Sequence, residues 1–135
     1  QAMGKTNDPV LRQEMMKLIS FQRASEWTAG RARAARALGR PPGSEGSIGK
    51  LAVSEIARRC NHVHSMISGA TAMLKETDDP IDAVIAEVLV STPAQSIAGG
   101  TDEIQHNILG ENMLGLPKEP AVDRGMPFRD VGKGN

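Results

Sequence analysis

From Val53 to Leu74 the apolar residues fall at Val53, Ile56, Cys60, Val63, Ile67, Ala70 and Leu74, in steps that alternate between three and four. Such steps average 3.5 residues, so the side chains form one stripe along a helix, and that stripe must be covered by other helices crossing at a shallow angle. The segment therefore reads as the spine of a bundle. Cys60 lies on the stripe and reads as a small buried core residue rather than a nucleophile. Composition points the same way. In 135 residues there are two Phe, one Trp and no Tyr, so the core has to come from Ala, Leu, Ile, Val and seven Met, side chains that suit close-packed helices better than a sheet.

The flanking segments carry helix punctuation. Asp8 followed by Pro9 gives an N-cap and a first helical residue that needs no N–H. Leu11, Met15, Leu18 and Ile19 follow at helical spacing, and the alanine-rich run to Ala37 predicts a helix ending near Gly39. Ala24, Ala29 and Ala32 would let another backbone come close, and Trp27 is expected to anchor the core. Residues 1–7 are expected to fray. Gly39 to Gly46, with Pro41 and Pro42, reads as a loop, and Ser47 as the cap of the spine helix. Thr77-Asp-Asp-Pro closes the spine and opens Ile81 to Val90, about three helical turns. Its Val and Ile content would also suit a strand, but the chain offers no second strand to pair it, so it is read as helix.

Pro93 breaks that helix and delivers the chain to Gly99, Gly100 and Thr101. Thr101 reads as an N-cap, Asp102 and Glu103 as the first turn, and Ile104, Ile108, Leu109 and Met113 as the apolar face of a short helix stopped by Gly115 and Pro117. Two glycines without Cβ atoms let another group approach the backbone where the amides of a helix start point outward, an arrangement that can bind an anion or the polar edge of a cofactor. On the simpler reading the glycines only permit the turn, and the two acids only complement the helix dipole.

Sixteen basic and sixteen acidic side chains cancel, and nothing in the chain asks for nucleic acid or a membrane surface. Arg23, Arg31, Arg33, Arg36 and Arg40 cluster, a pattern read as facing solvent and acidic neighbours. A single cysteine excludes an internal disulfide. His62 and His64 would diverge on a helix, so no metal site is expected from them and His106. Without a long apolar run or a signal-like start, a soluble, cytoplasmic protein is the expectation. The organisation expected is a helical domain over residues 1–120 and an irregular tail, rich in Pro, Gly and charge, over 121–135.

Several of these stretches are worded like one family. Ile97-Ala-Gly-Gly-Thr-Asp-Glu-Ile-Gln-His-Asn-Ile, then Glu111 and Leu114-Gly-Leu-Pro-Lys-Glu-Pro, closely resembles the C-terminal end of acyl-CoA dehydrogenases. The resemblance extends to Asp8-Pro-Val-Leu-Arg-Gln, to Gly39-Arg-Pro-Pro-Gly-Ser-Glu-Gly-Ser-Ile-Gly-Lys-Leu-Ala-Val-Ser-Glu and to Pro127-Phe-Arg-Asp-Val, and so covers nearly the whole chain. It implies an all-α fold, an up-down helical bundle whose first long helix would lie before the point where this chain starts.

The resemblance also implies FAD as cofactor, acyl-CoA as substrate in the breakdown of fatty acids or related lipids, and a homo- or hetero-oligomer. In that chemistry a glutamate removes the α-proton of the acyl-CoA while the β-hydride passes to flavin. Many members place the base immediately before a Gly-Thr pair. Here that position is Gly99, while other members carry the base on the earlier helix, so no catalytic residue is assigned within this chain. By the same alignment Gly99, Gly100, Thr101 and Glu103 fall at cofactor-contacting positions. The family's flavin-binding Arg segment is absent upstream, and its Gln-x-x-Gly-Gly-x-Gly segment is missing between Leu74 and Gln95. The reading is thus the C-terminal domain, or a fragment of it, from an acyl-CoA dehydrogenase-like flavoprotein that is not catalytic alone. The alternatives are a non-catalytic partner subunit completing a cofactor site or oligomer interface, and a helical interaction module without flavin.

Overall fold

Asp8 begins the first helix as its chemistry dictates. One carboxylate oxygen accepts the N–H groups of Val10 at 2.9 Å and Leu11 at 3.2 Å, and Pro9 fills the first helical position. In the computed structural model, which describes residues 4–74, 80–118, 120 and 125–131, this helix is α1, Pro9–Ala37. Its 29 residues make a rod about 44 Å long. Gly39, at φ 74°, turns the chain out of it.

The second helix, α2, runs Glu45–Ser68 and returns along α1. The antiparallel pairing is fixed at one end by the Lys5 ammonium, which donates to the Met66 carbonyl, and further along by the Arg59 guanidinium 4.9 Å above the Phe21 ring. The chain is therefore already held at Lys5, in the short 3-10 turn Lys5–Asn7, rather than frayed to residue 7. The cap position of α2 is Ser44, not Ser47. Ser47 lies inside the first turn and is buried.

Two further helices complete the set among the described residues, α3 at Pro80–Ser91 and α4 at Asp102–Asn112, and no strand occurs among those residues. A 3-10 turn, Thr92–Ser96, follows α3. Helix α2 is central: it packs against α1, α3, α4 and the Thr92–Ser96 turn. The all-α reading holds, and α1, α3 and α4 run close to the limits expected.

The spine differs from expectation in two respects. It is not continuous to Leu74, because Gly69 at φ 68° ends α2 and a 3-10 turn, Gly69–Met73, takes over. Nor is the buried face the apolar stripe, for Val53 and Leu74 are 53% and 52% exposed and Cys60 and Ile67 are only half-buried. The deepest positions on α2 are Ser47, Ser54 and Asn61, seven residues apart, together with Val63. Small polar side chains let the Thr92–Ser96 turn and α4 approach α2 closely. Ser54 reaches the Gln95 carbonyl at 3.0 Å, and Asn61 reaches the Val88 carbonyl at 3.4 Å.

Trp27 does not anchor the core. It is 70% exposed, because α1 packs principally on α2 and its opposite face is uncovered. Among the described residues the buried apolar side chains are Leu11, Val63, Ala72 and Ile85. No helix among the described residues is long and apolar enough to cross a membrane. The expected Thr77-Asp-Asp-Pro junction lies outside the described residues except for Pro80, the first residue of α3, as does much of the expected tail, of which residues 125–131 include the turn Phe128–Asp130.

Candidate functional site

Between the Thr92–Ser96 turn and α4 the chain turns through two successive glycines, Gly99 at φ 68° and Gly100 at φ 91°, a conformation that side-chain-bearing residues rarely adopt. Thr101 then caps α4, its hydroxyl oxygen accepting the Ile104 N–H at 3.3 Å. The side-chain amide of Gln105, itself buried, donates back to the Gly99 carbonyl at 3.1 Å and closes the turn. A methyl built on Gly99 would meet nothing within 4 Å, so open space lies beside the turn on that side. One built on Gly100 would come within 2.9 Å of the Gln105 amide nitrogen.

The four positions singled out from the sequence, Gly99, Gly100, Thr101 and Glu103, thus form one continuous element. Gly99 and Glu103 are exposed, and Gly100 and Thr101 are half-buried. Glu103 titrates below the ordinary carboxylate range, held there first by its own backbone amide at the helix start and then by the Thr101 hydroxyl. A carboxylate so stabilised is a weaker proton acceptor than an ordinary one.

Asp102 is the residue that the apolar pattern does not reveal. Its carboxylate, 12% exposed, points back onto α2, where one oxygen takes the Lys50 ammonium at 2.5 Å and lies 2.8 Å from the Ser54 hydroxyl. The other oxygen accepts from the Arg58 guanidinium at 3.0 Å. The same Arg58 nitrogen donates to the Ser96 hydroxyl at 2.7 Å, and the rest of its fork engages Glu55 at 3.0 and 3.2 Å. Lys50, foremost, and Arg58 hold the Asp102 carboxyl well below the usual range, and Asp102 in turn raises Arg58. Arg59 pairs with the other Glu55 oxygen at 2.7 Å, so three cations meet two carboxylates here. A signal does exist in the chain: Lys50, Ser54 and Arg58 stand four residues apart, on one face of α2.

Elsewhere the chemistry is sparse. Among the described residues no three His, Cys, Asp or Glu side chains gather as a metal ion would require. Cys60 is half-buried, and burial pushes its thiol up, away from the nucleophilic thiolate. A groove of about 710 Å³ lies between α3 and the Gly69–Met73 turn and is lined by Ala72, Met73, Val84, Leu89 and Val90 among others, none of them from the glycine turn.

Residues 1–114 match the family described as acyl-CoA dehydrogenase, C-terminal domain. The match takes in the glycine turn and α4 and stops before the tail. No curated protein and no solved structure matches the chain.

Proposed function

The chain belongs to the acyl-CoA dehydrogenase family through its C-terminal domain, and from that premise we propose that it forms the helical C-terminal part of a flavoprotein acting on acyl-CoA thioesters, and that Gly99, Gly100, Thr101 and Glu103 contact FAD in the complete assembly. The observation that carries the site is the pair of left-handed glycines leading into the start of α4, with open space beside Gly99. A polar cofactor edge fits beside Gly99, where no Cβ stands in the way; of the first amides of α4, that of Ile104 is taken by the Thr101 hydroxyl and that of Glu103 by its own carboxylate. Thr101, whose hydroxyl oxygen accepts from the Ile104 amide, follows directly after the two glycines. The chemistry FAD supplies when bound is acceptance of the hydride from the acyl β-carbon.

Proton abstraction lies outside this turn. Gly99 has no acceptor, Glu103 is held below its ordinary range, and both oxygens of Asp102 are occupied by Lys50, Ser54 and Arg58. The isolated chain, incubated with FAD and an acyl-CoA, is therefore expected not to reduce an electron acceptor, and turnover would overturn the assignment. In the complete flavoprotein, Thr101→Val should lower the bound FAD per protomer, whereas unchanged flavin content would remove the site.

A role as a partner subunit is favoured by a separate observation. Ile81, Val84 and Val90 on α3 and Met73 beside it are all exposed, and apolar surface of this extent is what associating proteins cover. Self-association or association with a catalytic partner follows, and sedimentation showing only monomer at micromolar concentration, alone and with the rest of the flavoprotein, would refute it.

A further inference from the structure

We propose that Asp102 is a positioning residue: through Lys50, Ser54 and Arg58 it fixes where the Gly99–Thr101 turn sits on α2. Its consequence for flavin rests on the cofactor reading above; the placement of the turn does not. Little else holds the start of α4. The buried residues of this helix are Asp102, Gln105 and Gly110, none of them a large apolar side chain, while Ile104 in its first turn is half exposed. Apolar contact is also non-directional and would let a short helix slide or roll on α2.

Asp102 is directional. Its two oxygens are taken from different sides, Lys50 and Ser54 on one and Arg58 on the other, by groups 44 to 52 residues away in sequence. A little-exposed carboxylate that loses such partners is costly, so displacement of the helix start away from that face of α2 or along it is opposed. The restraint passes on to the glycines by two routes. Thr101 is covalently next to Asp102, and Gln105, one turn on, grips the Gly99 carbonyl. A third link ties the segment before the turn, since Ser54 also lies within 3.0 Å of the Gln95 carbonyl and Arg58 holds Ser96. The single Ser54 proton serves either the carbonyl or the carboxylate, so the hydroxyl joins both sides of the turn to one point on α2.

The charged groups around Asp102 are Lys50 and Arg58 of α2, with Glu55 behind Arg58 and Arg59 on the far oxygen of Glu55, and Glu103 beside it on α4. Because Lys50 and Arg58 depress the Asp102 carboxyl, the restraint persists down through the range where ordinary aspartates protonate and is released only in stronger acid.

The test is amide hydrogen exchange on the 135-residue chain. Asp102→Asn, which keeps the shape and removes the charge, is expected to raise exchange at residues 97–105 at least tenfold at pH 7 and to leave the α1–α2 hairpin protected. Corrected for intrinsic rates, the wild-type turn is expected to reach the same exchange only well below pH 4, while the Asp102→Asn turn shows no such acid step. Lys50→Met, which leaves Arg58 and Ser54 in place, is expected to give a smaller rise at the same amides and provides the reading should Asp102→Asn not fold. Unchanged protection at 97–105, or a rise spread evenly over the hairpin, overturns the proposal. In the complete flavoprotein the Asp102→Asn change is expected to weaken FAD retention about tenfold. Faster exchange at the turn with FAD retention intact would leave the positioning role standing and remove the cofactor reading.

Discussion

Replacing each of the two turn glycines by alanine in turn separates backbone conformation from side-chain crowding. Both have positive φ, so either substitution costs about 1–2 kcal/mol for placing an L residue in that region. Both also gain a few tenths to about 1 kcal/mol from a less flexible unfolded chain, a term that cancels when the two are compared. The difference lies in what the new methyl meets. At Gly99 it meets nothing within 4 Å, but at Gly100 it would stand 2.9 Å from the Gln105 amide nitrogen, and that amide would have to leave the Gly99 carbonyl. A buried side-chain amide that loses its partner costs about 1–3 kcal/mol. Gly100→Ala is therefore expected to destabilise the chain by about 1–3 kcal/mol more than Gly99→Ala, read as the difference in urea midpoints at a common m-value. Adding Gln105→Ala to Gly100→Ala should recover part of the loss, because it removes the obstructing group. Equal losses at the two glycines, or a larger loss at Gly99, would refute the crowding argument, and two neutral substitutions would refute the turn geometry itself.

Three further substitutions probe the rest of the chain by the same unfolding measurement. Gly49→Ala lies inside α2 with open space around the added methyl and should stabilise by about 0.5–1 kcal/mol; a loss would mean that the helix surface there is already covered. Asp8→Ala removes the two accepted amide bonds at the start of α1 and should cost about 0.5–2 kcal/mol, with no effect if the first turn of α1 contributes nothing. Ser54→Ala should cost about 1–3 kcal/mol, since the fully buried hydroxyl donates its one proton to either the Asp102 carboxylate or the Gln95 carbonyl, and a neutral result would place water at that point instead.

Those features of the fold that depend on the chemistry of one residue and its immediate neighbours are legible in the amino-acid sequence. Asp8 and Pro9 start α1, Thr101 caps α4, and Gly115, at φ 66°, lets the Leu116 amide fold back onto the Gly110 carbonyl at 3.0 Å. What the sequence conceals depends on which face of a helix meets a neighbour. The 3.5-residue stripe on α2 locates a helix but not its buried side, because burial there goes to Ser47, Ser54 and Asn61, whose small size allows close approach. Trp27 misleads for a related reason, since its size argues for burial only where a second element lies opposite. Asp102 reads as a complement to the helix dipole, the ordinary use of an acid in a first turn, while its cationic partners stand some fifty residues away. Lys50, Ser54 and Arg58, at steps of four, become informative once α4 is known to cross that face.

This distribution departs from the usual one, with a hydroxyl and carboxylate buried against α2 in an ionic cluster open on its Arg58 side, and large apolar side chains outside. The two halves have different physical uses. Buried ion pairs are weak contributors to net stability, because desolvation cancels much of their attraction, but their direction makes them strict about placement. Apolar side chains stabilise without direction, about 1.5–3 kcal/mol for each Val or Ile fully covered, so Ile81, Val84 and Val90, with Val90 84% exposed, are a reserve of several kcal/mol not realised within the described chain. Total stabilities of domains are only about 5–15 kcal/mol, and a reserve of that size is comparable with the whole. The separation is therefore consistent with a part that is rigid where the glycine turn has to be presented and open where another surface has to be met. On the proposed reading the two roles fall to different elements, placement to α2 and α4 and association to α3, so substitutions in one are expected to alter cofactor contact or assembly without altering the other.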